Sequence, residues 1–222
     1  MKTKVLLILT FVFVCTTFNC HAQPSISDNY LFKQFQDALV VYKDGRLFNV
    51  PANYNLLDNR FVFIDKADQD REKEFSDLDL IAVIKMGGKD FLPTSGKATE
   101  VMQAHPRFYV SYVGYSRQAP KPLTYGGVTE TASVDTYSGT GFINREQSGG
   151  RVIKHIDKEY EVQIGKREKT FFNEKTFLKL FPKARHEELK DYIEKQNIDF
   201  NIPEQVLQLY MYSQKEALGQ SK

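Results

Sequence analysis

Cysteine is scarce in this chain of 222 residues, and tryptophan is absent. Both cysteines, Cys15 and Cys20, lie near the N-terminus. If export removes that segment, the rest of the chain has no thiol, which excludes a disulfide framework, a cysteine nucleophile and a thiolate metal site. The fold must then depend on a hydrophobic core, and a chain of roughly 200 residues is long enough for one or two domains.

Neither sign of charge is in excess. The chain has 30 basic and 28 acidic side chains, and removal of an N-terminal segment that contains Lys2 and Lys4 but no acidic residue leaves 28 of each. Proteins that bind nucleic acid use a basic surplus to neutralise phosphates. The balanced charge therefore argues against nucleic acid as a partner.

Long apolar runs are absent except at the N-terminus. Val5–Val14 is apolar apart from Thr10, and it follows two lysines. The run has about half of the roughly 20 residues needed to span a bilayer. Together with small residues ahead of the cleavage position, it predicts a signal peptide over residues 1–22, cleaved between Ala22 and Gln23. The mature protein is then expected to be soluble, in the periplasm or outside the cell.

A lipoprotein is the alternative for this segment. In that case Cys20 becomes an acylated N-terminus that anchors the chain to a membrane. Residues 17–19, Thr-Phe-Asn, lack the leucine and small residues that usually precede such a cysteine. Cleavage before Gln23 is therefore preferred.

Two hairpins are predicted in the first half of the chain. Asp44-Gly45 and Gly87-Gly88 each lie between apolar runs, and such dipeptides favour two-residue turns. In the first hairpin the apolar pairs fall on one interior face. The predicted pairs are Lys43 with Arg46, Val41 with Phe48 and Leu39 with Val50 in the first hairpin, and Lys85 with Asp90 and Ile84 with Phe91 in the second.

The spacing of strand and helix signals predicts an α+β protein. Six or so short strands within residues 23–115 are typical of an antiparallel, barrel-like sheet, with a topology analogous to SH3-like barrels. Residues 116–150 are a long connection rich in Tyr, Gly, Ser and Thr, which is functional, packed by its own tyrosines or disordered. Residues 151–222 return to strands and end in helices that pack on the sheet.

Helices are predicted near the C-terminus. Asn173 caps a helix over residues 174–181, which Pro182 ends. A second helix covers residues 186–196, and a third begins after Asn201. The third helix presents one face at helical spacing, formed by Val206, Leu209, Tyr210 and Ser213.

No pattern nominates a catalytic, cofactor-binding or metal-binding residue. His105, His155 and His186 lie in different elements without a metal-ligand neighbour at helical or strand spacing. A Ser-His-Asp arrangement stays open because its members need not be close in sequence. No Gly-x-Ser-x-Gly motif nominates a serine, however.

Three carboxylates, Asp65, Asp68 and Asp70, cluster in one charged stretch. Their spacing does not match a calcium loop, and the glycine that such a loop needs at its sixth position is missing. Nearby cations neutralise the cluster, so a solvated charged loop is predicted. These cations are Lys66, Arg71 and Lys73.

Aromatic side chains on a strand face can stack on sugar rings, which makes several tyrosines a candidate binding surface. Core packing together with ordinary exposed tyrosines is the alternative, because aromatic residues dominate cores. The absence of tryptophan favours this alternative. The candidates are Tyr109, Tyr112, Tyr115, Tyr125 and Tyr137.

Several longer segments have a distinctive pattern: LysAspGlyArg (43–46), AsnTyrAsnLeuLeuAspAsn (53–59), TyrGlyGlyValThrGluThrAlaSer (125–133), PhePheAsnGluLysThrPheLeuLysLeuPhePro (171–182) and AsnIleAspPheAsnIleProGlu (197–204). With the predicted signal ending in His-Ala-Gln, the chain resembles uncharacterised secreted proteins of Bacteroidetes over nearly all of its mature length. The resemblance implies export. It implies no activity, substrate or catalytic residue.

The predicted function is that of an exported, non-catalytic envelope protein that binds an unidentified partner or ligand. The lack of a catalytic signature motivates this prediction. The alternative is a secreted hydrolase of an envelope or dietary polymer, which requires a histidine within hydrogen-bond reach of a serine or an acid in a cleft. A structural component of an outer-membrane assembly is a third possibility, and it predicts an exposed apolar patch.

Overall fold

The computed structural model describes residues 29–93, 97–118, 121–122, 128–129 and 151–219. The predicted signal peptide, with Ala22 and Gln23 at its cleavage position, lies outside these ranges. The strands are β1 (Gln36–Tyr42), β2 (Leu47–Asn55), β3 (Arg60–Asp65), β4 (Arg71–Glu74), β5 (Ile81–Met86), β6 (Lys89–Leu92), β7 (Thr99–Gln103), β8 (Phe108–Gln118), β9 (Lys121–Pro122), β10 (Val128–Thr129), β11 (Arg151–Ile164) and β12 (Arg167–Phe171).

Ten of these strands form one large antiparallel sheet. Their order is β12-β11-β8-β7-β6-β5-β1-β2-β3-β4, and β9 pairs with β10 separately. Three helices follow the strands: α1 (Glu174–Leu178), α2 (His186–Gln196) and α3 (Pro203–Gly219). The α+β class is therefore confirmed.

The large antiparallel sheet is confirmed, but its described strands do not close into a barrel. Strands β4 and β12 lie at the two edges of the sheet. Their sequences are Arg-Glu-Lys-Glu and Arg-Glu-Lys-Thr-Phe. Charged side chains on an edge strand disfavour pairing with a further strand. The sheet is instead strongly coiled. The Phe61 ring on β3 lies 6.2 Å from the Phe91 ring on β6, although β5, β1 and β2 lie between these two strands in the sheet.

The register of the first hairpin is shifted by one residue from the prediction. Val40 lies opposite Phe48 and Ala38 lies opposite Val50. The loop has three residues rather than two, because the Tyr42 N–H donates to the Arg46 carbonyl at 2.9 Å. A three-residue loop of this kind ends in a glycine with positive φ, and Gly45 has φ of +89°.

This shift changes which side chains face the core. Ala38 and Val40 are buried, whereas Leu39 and Val41 are only half-buried. Phe48 is 42% exposed. The predicted interior of Leu39, Val41, Phe48 and Val50 is therefore wrong, with the exception of Val50.

The second hairpin has the predicted register. Ile84 lies opposite Phe91 and Lys85 lies opposite Asp90. The Lys85 Nζ is 2.7 Å from a carboxylate oxygen of Asp90. Gly87 and Gly88 both have positive φ, at +58° and +74°, as a two-residue turn of this type requires.

The strands after the long connection extend the same sheet. Strand β11 pairs with β8 over most of its length, and β12 pairs with β11. β11 is continuous from Arg151 to Ile164. The predicted domain boundaries at residues 115 and 150 stay predictions.

One face of the sheet, called the inner face below, carries the largest buried side chains. It forms one continuous core with the helices. The inner-face residues include Ala38, Val40, Ala52, Tyr54, Phe61, Ile84, Phe91, Phe108, Val110, Tyr160, Val162 and Phe171. The opposite face is called the outer face.

The helices cover the inner face at β8, β11 and β12. The Tyr210 ring of α3 lies 5.5 Å from the Phe108 ring, and its hydroxyl donates to the Gln163 carbonyl at 2.7 Å. Asn173 and Thr176 form a capping box that begins α1, which confirms Asn173 as the cap. The predicted buried face of α3 is also confirmed, since its four side chains, Val206, Leu209, Tyr210 and Ser213, have no exposed surface.

Candidate functional site

The inner face contains a charged pair with one buried and one half-buried partner. Glu100 on β7 is 6% exposed and lies between Phe91 and Val110 on the neighbouring strands. Lys89 on β6 lies opposite Met86, which places it on the same face. Its Nζ is 2.9 Å and 2.8 Å from the two carboxylate oxygens of Glu100.

Tyr112 on β8 completes this cluster. Its hydroxyl donates a hydrogen bond to Glu100 and accepts one from the Lys89 Nζ at 3.3 Å. The side chain is 7% exposed. Burial, together with the Glu100 carboxylate, raises the pKa of Tyr112 far above its usual range. The tyrosine therefore stays protonated and acts as a fixed hydrogen-bond donor.

A charged pair on a core face needs an explanation beyond stability. Removing both ions from water carries a large desolvation penalty, and an apolar replacement of the whole pair is often neutral or stabilising. Removing one partner alone costs about 3–5 kcal/mol, because the other charge is left uncompensated. A buried tyrosine whose pKa is raised, beside a charged pair and a cavity, marks a candidate functional site.

A cavity of about 210 Å³ adjoins the Lys89–Glu100–Tyr112 cluster. One part of its wall is apolar, and the other consists of two lysines and a tyrosine. Its lining residues are Leu31, Phe32, Lys89, Tyr112, Ile156 and Lys158.

Lys158 gives this cavity its charge. It lies directly opposite Tyr112 in the β8–β11 pairing and is half-buried. Within the part of the chain that the structure describes, no carboxylate pairs with its ammonium group. Because Glu100 balances Lys89, Lys158 is the charged lining residue without a paired carboxylate, and the exposed Glu204 of α3 acts on Tyr112 only at longer range.

Gly87 allows the Phe32 ring, which forms part of the apolar wall, to lie close to the turn between β5 and β6. The Phe32 ring packs edge-on against Phe91 with 6.2 Å between ring centroids. A Cβ at Gly87 would lie 2.5 Å from the Cε1 of Phe32. Gly87 is therefore required twice, for the positive φ of the turn and for the close approach of Phe32.

A larger and more open hollow of about 590 Å³ lies where β1, β2, β5 and β6 meet. Its charged side chains have both signs, including Asp37 and Lys66, and two of them, Lys85 and Asp90, pair with each other. This mixture gives the hollow no clear preference for a cation or an anion. The smaller cavity is therefore the better-defined candidate site.

The structure separates the tyrosines of the predicted binding surface. Tyr112 points to the inner face, whereas Tyr109 and Tyr115 lie on the outer face because side chains alternate along a strand. Tyr109 packs under the Arg107 guanidinium at 4.9 Å, and Tyr115 stacks on His155 at 4.8 Å. Tyr125 and Tyr137 lie outside the described residues.

The described histidines do not line either cavity. His105 is exposed. His155 lies 3.3 Å from Asp157, and both side chains are mostly exposed on the outer face. The His186 Nε2 lies 3.0 Å from the Phe181 carbonyl oxygen. The arrangement that the hydrolase alternative requires is therefore not formed by these three residues.

In the acidic cluster of Asp65, Asp68 and Asp70, Lys73 pairs with two of the carboxylates. The Lys73 Nζ lies 2.7 Å from Asp65 and 3.0 Å from Asp68. The hydrogen bond from Lys73 lowers the pKa of the Asp65 carboxyl. No group of three potential metal ligands occurs among the residues that are described. The ammonium of Lys73 occupies the position between the carboxylates.

No sequence pattern groups Lys89, Glu100 and Lys158. They come from three different strands, β6, β7 and β11, and no fixed spacing connects them. Side-chain alternation could have indicated that Glu100 lies on an apolar face, opposite Phe91 and Val110, but only with the strand order known.

Comparison with protein-family models, with curated proteins and with solved structures finds no match to this chain. In the described portion, none of the helices is long and apolar enough to cross a membrane.

Proposed function

We propose that this chain is an exported, non-catalytic binding protein of the cell envelope, periplasmic or secreted. Its ligand is a small molecule with an anionic group and an apolar part, held in the cavity beside Lys89 and Lys158. The observation that carries this proposal is the half-buried side chain of Lys158, which lines a partly apolar cavity and has no carboxylate partner among the described residues. A partly buried charge without a counter-ion is less well solvated than an exposed one, and a bound anion would offset that cost.

The size of the cavity limits the ligand. About 210 Å³ is below the roughly 300–1,000 Å³ of pockets that hold drug-sized molecules. The apolar side chains of Leu31, Phe32 and Ile156 favour a short hydrocarbon or aromatic part over a sugar.

Hexanoate is a suitable probe, and calorimetric titration of the full mature chain at low ionic strength measures its binding. Lys158→Gln is expected to lose most of the affinity, because it removes the uncompensated charge. Lys97→Gln is the matched control, since Lys97 carries the same charge but pairs with Glu159 on the outer face. Equal binding by both variants, or no binding of short carboxylates by the wild-type chain, overturns the proposal.

Export and the form of the N-terminus are tested separately. Mass spectrometry of the protein recovered from cells distinguishes a chain that begins at Gln23 from one acylated at Cys20. Retention of residues 1–22 in the recovered protein contradicts export by a cleaved signal.

Four of the sequence-based expectations do not contribute to this proposal. The resemblance to secreted Bacteroidetes proteins and the analogy with SH3-like barrels stay predictions. The hydrolase alternative is not favoured by any arrangement of the described side chains. Nucleic acid is not proposed as a partner, because the charge is balanced.

A further inference from the structure

We infer that the cavity selects singly charged anions over doubly charged ones, and that Glu100 sets this preference. The inference rests on the proposed function, because it concerns the charge of the ligand in the same cavity. Lys89 and Lys158 both reach the cavity, yet the Lys89 ammonium already contacts both oxygens of Glu100. Only Lys158 is left to be balanced by a ligand.

The preference follows from the sum of charges in a partly buried site. A singly charged carboxylate balances Lys158, so the lining side chains together with Glu100 then carry no net charge. A doubly charged phosphate monoester would leave one negative charge uncompensated in surroundings where Glu100 is 6% exposed. Charges that lack a partner in such surroundings are strongly disfavoured.

Tyr112 prevents the pair from rearranging to accept a second negative charge. Its hydroxyl bonds both Glu100 and Lys89, and its position on β8 is fixed by pairing with β7 and β11. Lys89 therefore stays with Glu100 and does not turn to the ligand. The cavity accordingly fits a monocarboxylate with a short apolar tail.

The test compares hexanoate with hexyl phosphate, two probes with the same hydrocarbon tail. Calorimetric titrations are carried out at pH 8.5, where the phosphate is doubly charged because its second pKa is about 6. The wild-type chain is expected to bind hexanoate about tenfold more tightly than hexyl phosphate, or better. Glu100→Gln removes the counter-ion of Lys89, and the ratio of affinities is expected to shift toward hexyl phosphate by about tenfold or more.

A double variant, Lys89→Met with Glu100→Met, is the matched comparison. It removes both charges of the pair and keeps the single charge of Lys158, so the preference for hexanoate is expected to persist. Ile156→Lys provides an independent route if Glu100→Gln does not fold. It adds a second uncompensated charge to the wall without touching the pair, and the same shift toward hexyl phosphate is expected.

The outcomes separate this inference from the function on which it rests. If the wild-type chain binds neither probe, the proposed function fails and the inference fails with it. If the wild-type chain binds hexanoate but binds hexyl phosphate equally well, the inference alone is overturned. An unchanged ratio in folded Glu100→Gln or Ile156→Lys also overturns the inference and leaves the proposed function standing.

Discussion

The side-chain amide of Asn53 holds the backbone of Phe32 at both its N–H and its carbonyl. The Asn53 Oδ1 accepts from the Phe32 N–H at 3.2 Å, and the Nδ2 donates to the Phe32 carbonyl at 2.9 Å. The chain leaves the β-ladder between the bridge at Tyr30 and the start of β1 at Gln36. Asn53 therefore replaces the missing strand partner and fixes one wall of the candidate cavity.

Asn53→Ala is expected to lower the free energy of unfolding by about 2–3 kcal/mol, because backbone groups near a fully buried position lose their hydrogen bonds. Denaturant unfolding measures the change. Asn49→Ala is the control, since Asn49 is exposed on the same strand, and it should change stability by at most about 0.5 kcal/mol. Similar losses in the two variants would show that the Asn53 amide does not hold the Phe32 segment.

At Gly114, strand β8 comes close to Leu56, which follows β2. A Cβ there would lie 2.8 Å from the Leu56 Cβ and 2.7 Å from the Ile153 Cδ1. Replacing a strand glycine by alanine ordinarily gains about 0.5–1 kcal/mol, whereas overpacking costs about 1–3 kcal/mol. Gly114→Ala is therefore expected to destabilise the fold by about 1–2 kcal/mol, as measured by denaturant unfolding.

Ile153→Val tests whether the loss at Gly114 is steric. It removes the Cδ1 that the new methyl group meets, so part of the loss should be recovered when the two substitutions are combined. A stabilising effect of Gly114→Ala on its own would contradict the close approach of β8 to Leu56.

The two hairpins show how far local patterns determine register. Gly87-Gly88 fixes a two-residue turn, because two successive positive φ angles are easily adopted by glycine, and the predicted pairs are present. Asp44-Gly45 is compatible with either a two-residue or a three-residue loop. The flanking residues 38–42 are apolar at every position, so alternation did not decide which face is buried.

Other elements depended on tertiary context that local patterns do not contain. Strand β4 consists of charged residues and was predicted as loop, because its position at the edge of the sheet does not require apolar alternation. Of the candidate site, the sequence nominated Tyr112 only. Lys89, Glu100 and Lys158 meet there because β6, β7, β8 and β11 are neighbours in an order that the sequence did not reveal.

The edge strand β12 is expected to be protected from aggregation by its charges. Arg167, Glu168 and Lys169 are all exposed on an edge that no further strand covers among the described residues. Lys169→Val is expected to increase aggregation at high protein concentration, because it creates a flatter and more apolar edge. Light scattering during prolonged incubation measures this effect.

Lys190→Val is the matched control for the edge variant. It adds the same apolar side chain to an exposed position, but on helix α2 rather than on a strand edge. It should leave light scattering unchanged if the unpaired edge is the cause. Equal aggregation of both variants would point to surface hydrophobicity in general.

Buried tyrosines predict a loss of stability at alkaline pH. Burial raises the pKa of Tyr54 to about 12, and burial with Glu100 raises that of Tyr112. An unfolded tyrosine loses its proton near pH 10, whereas the folded protein retains it. The stabilising effect of these tyrosines is therefore fully present below about pH 10 and is lost as the pH rises toward the folded pKa.

Unfolding in denaturant between pH 8 and pH 11 is expected to show constant stability at first and then a fall above about pH 10. Each strongly shifted tyrosine contributes up to about 1.4 kcal/mol per pH unit, so Tyr54→Phe should make the fall shallower. Tyr115→Phe is the control, because that ring is 57% exposed on the outer face, and it should leave the slope unchanged. An equal slope in the wild-type chain and Tyr54→Phe would mean that Tyr54 ionises without unfolding the core, which its complete burial opposes.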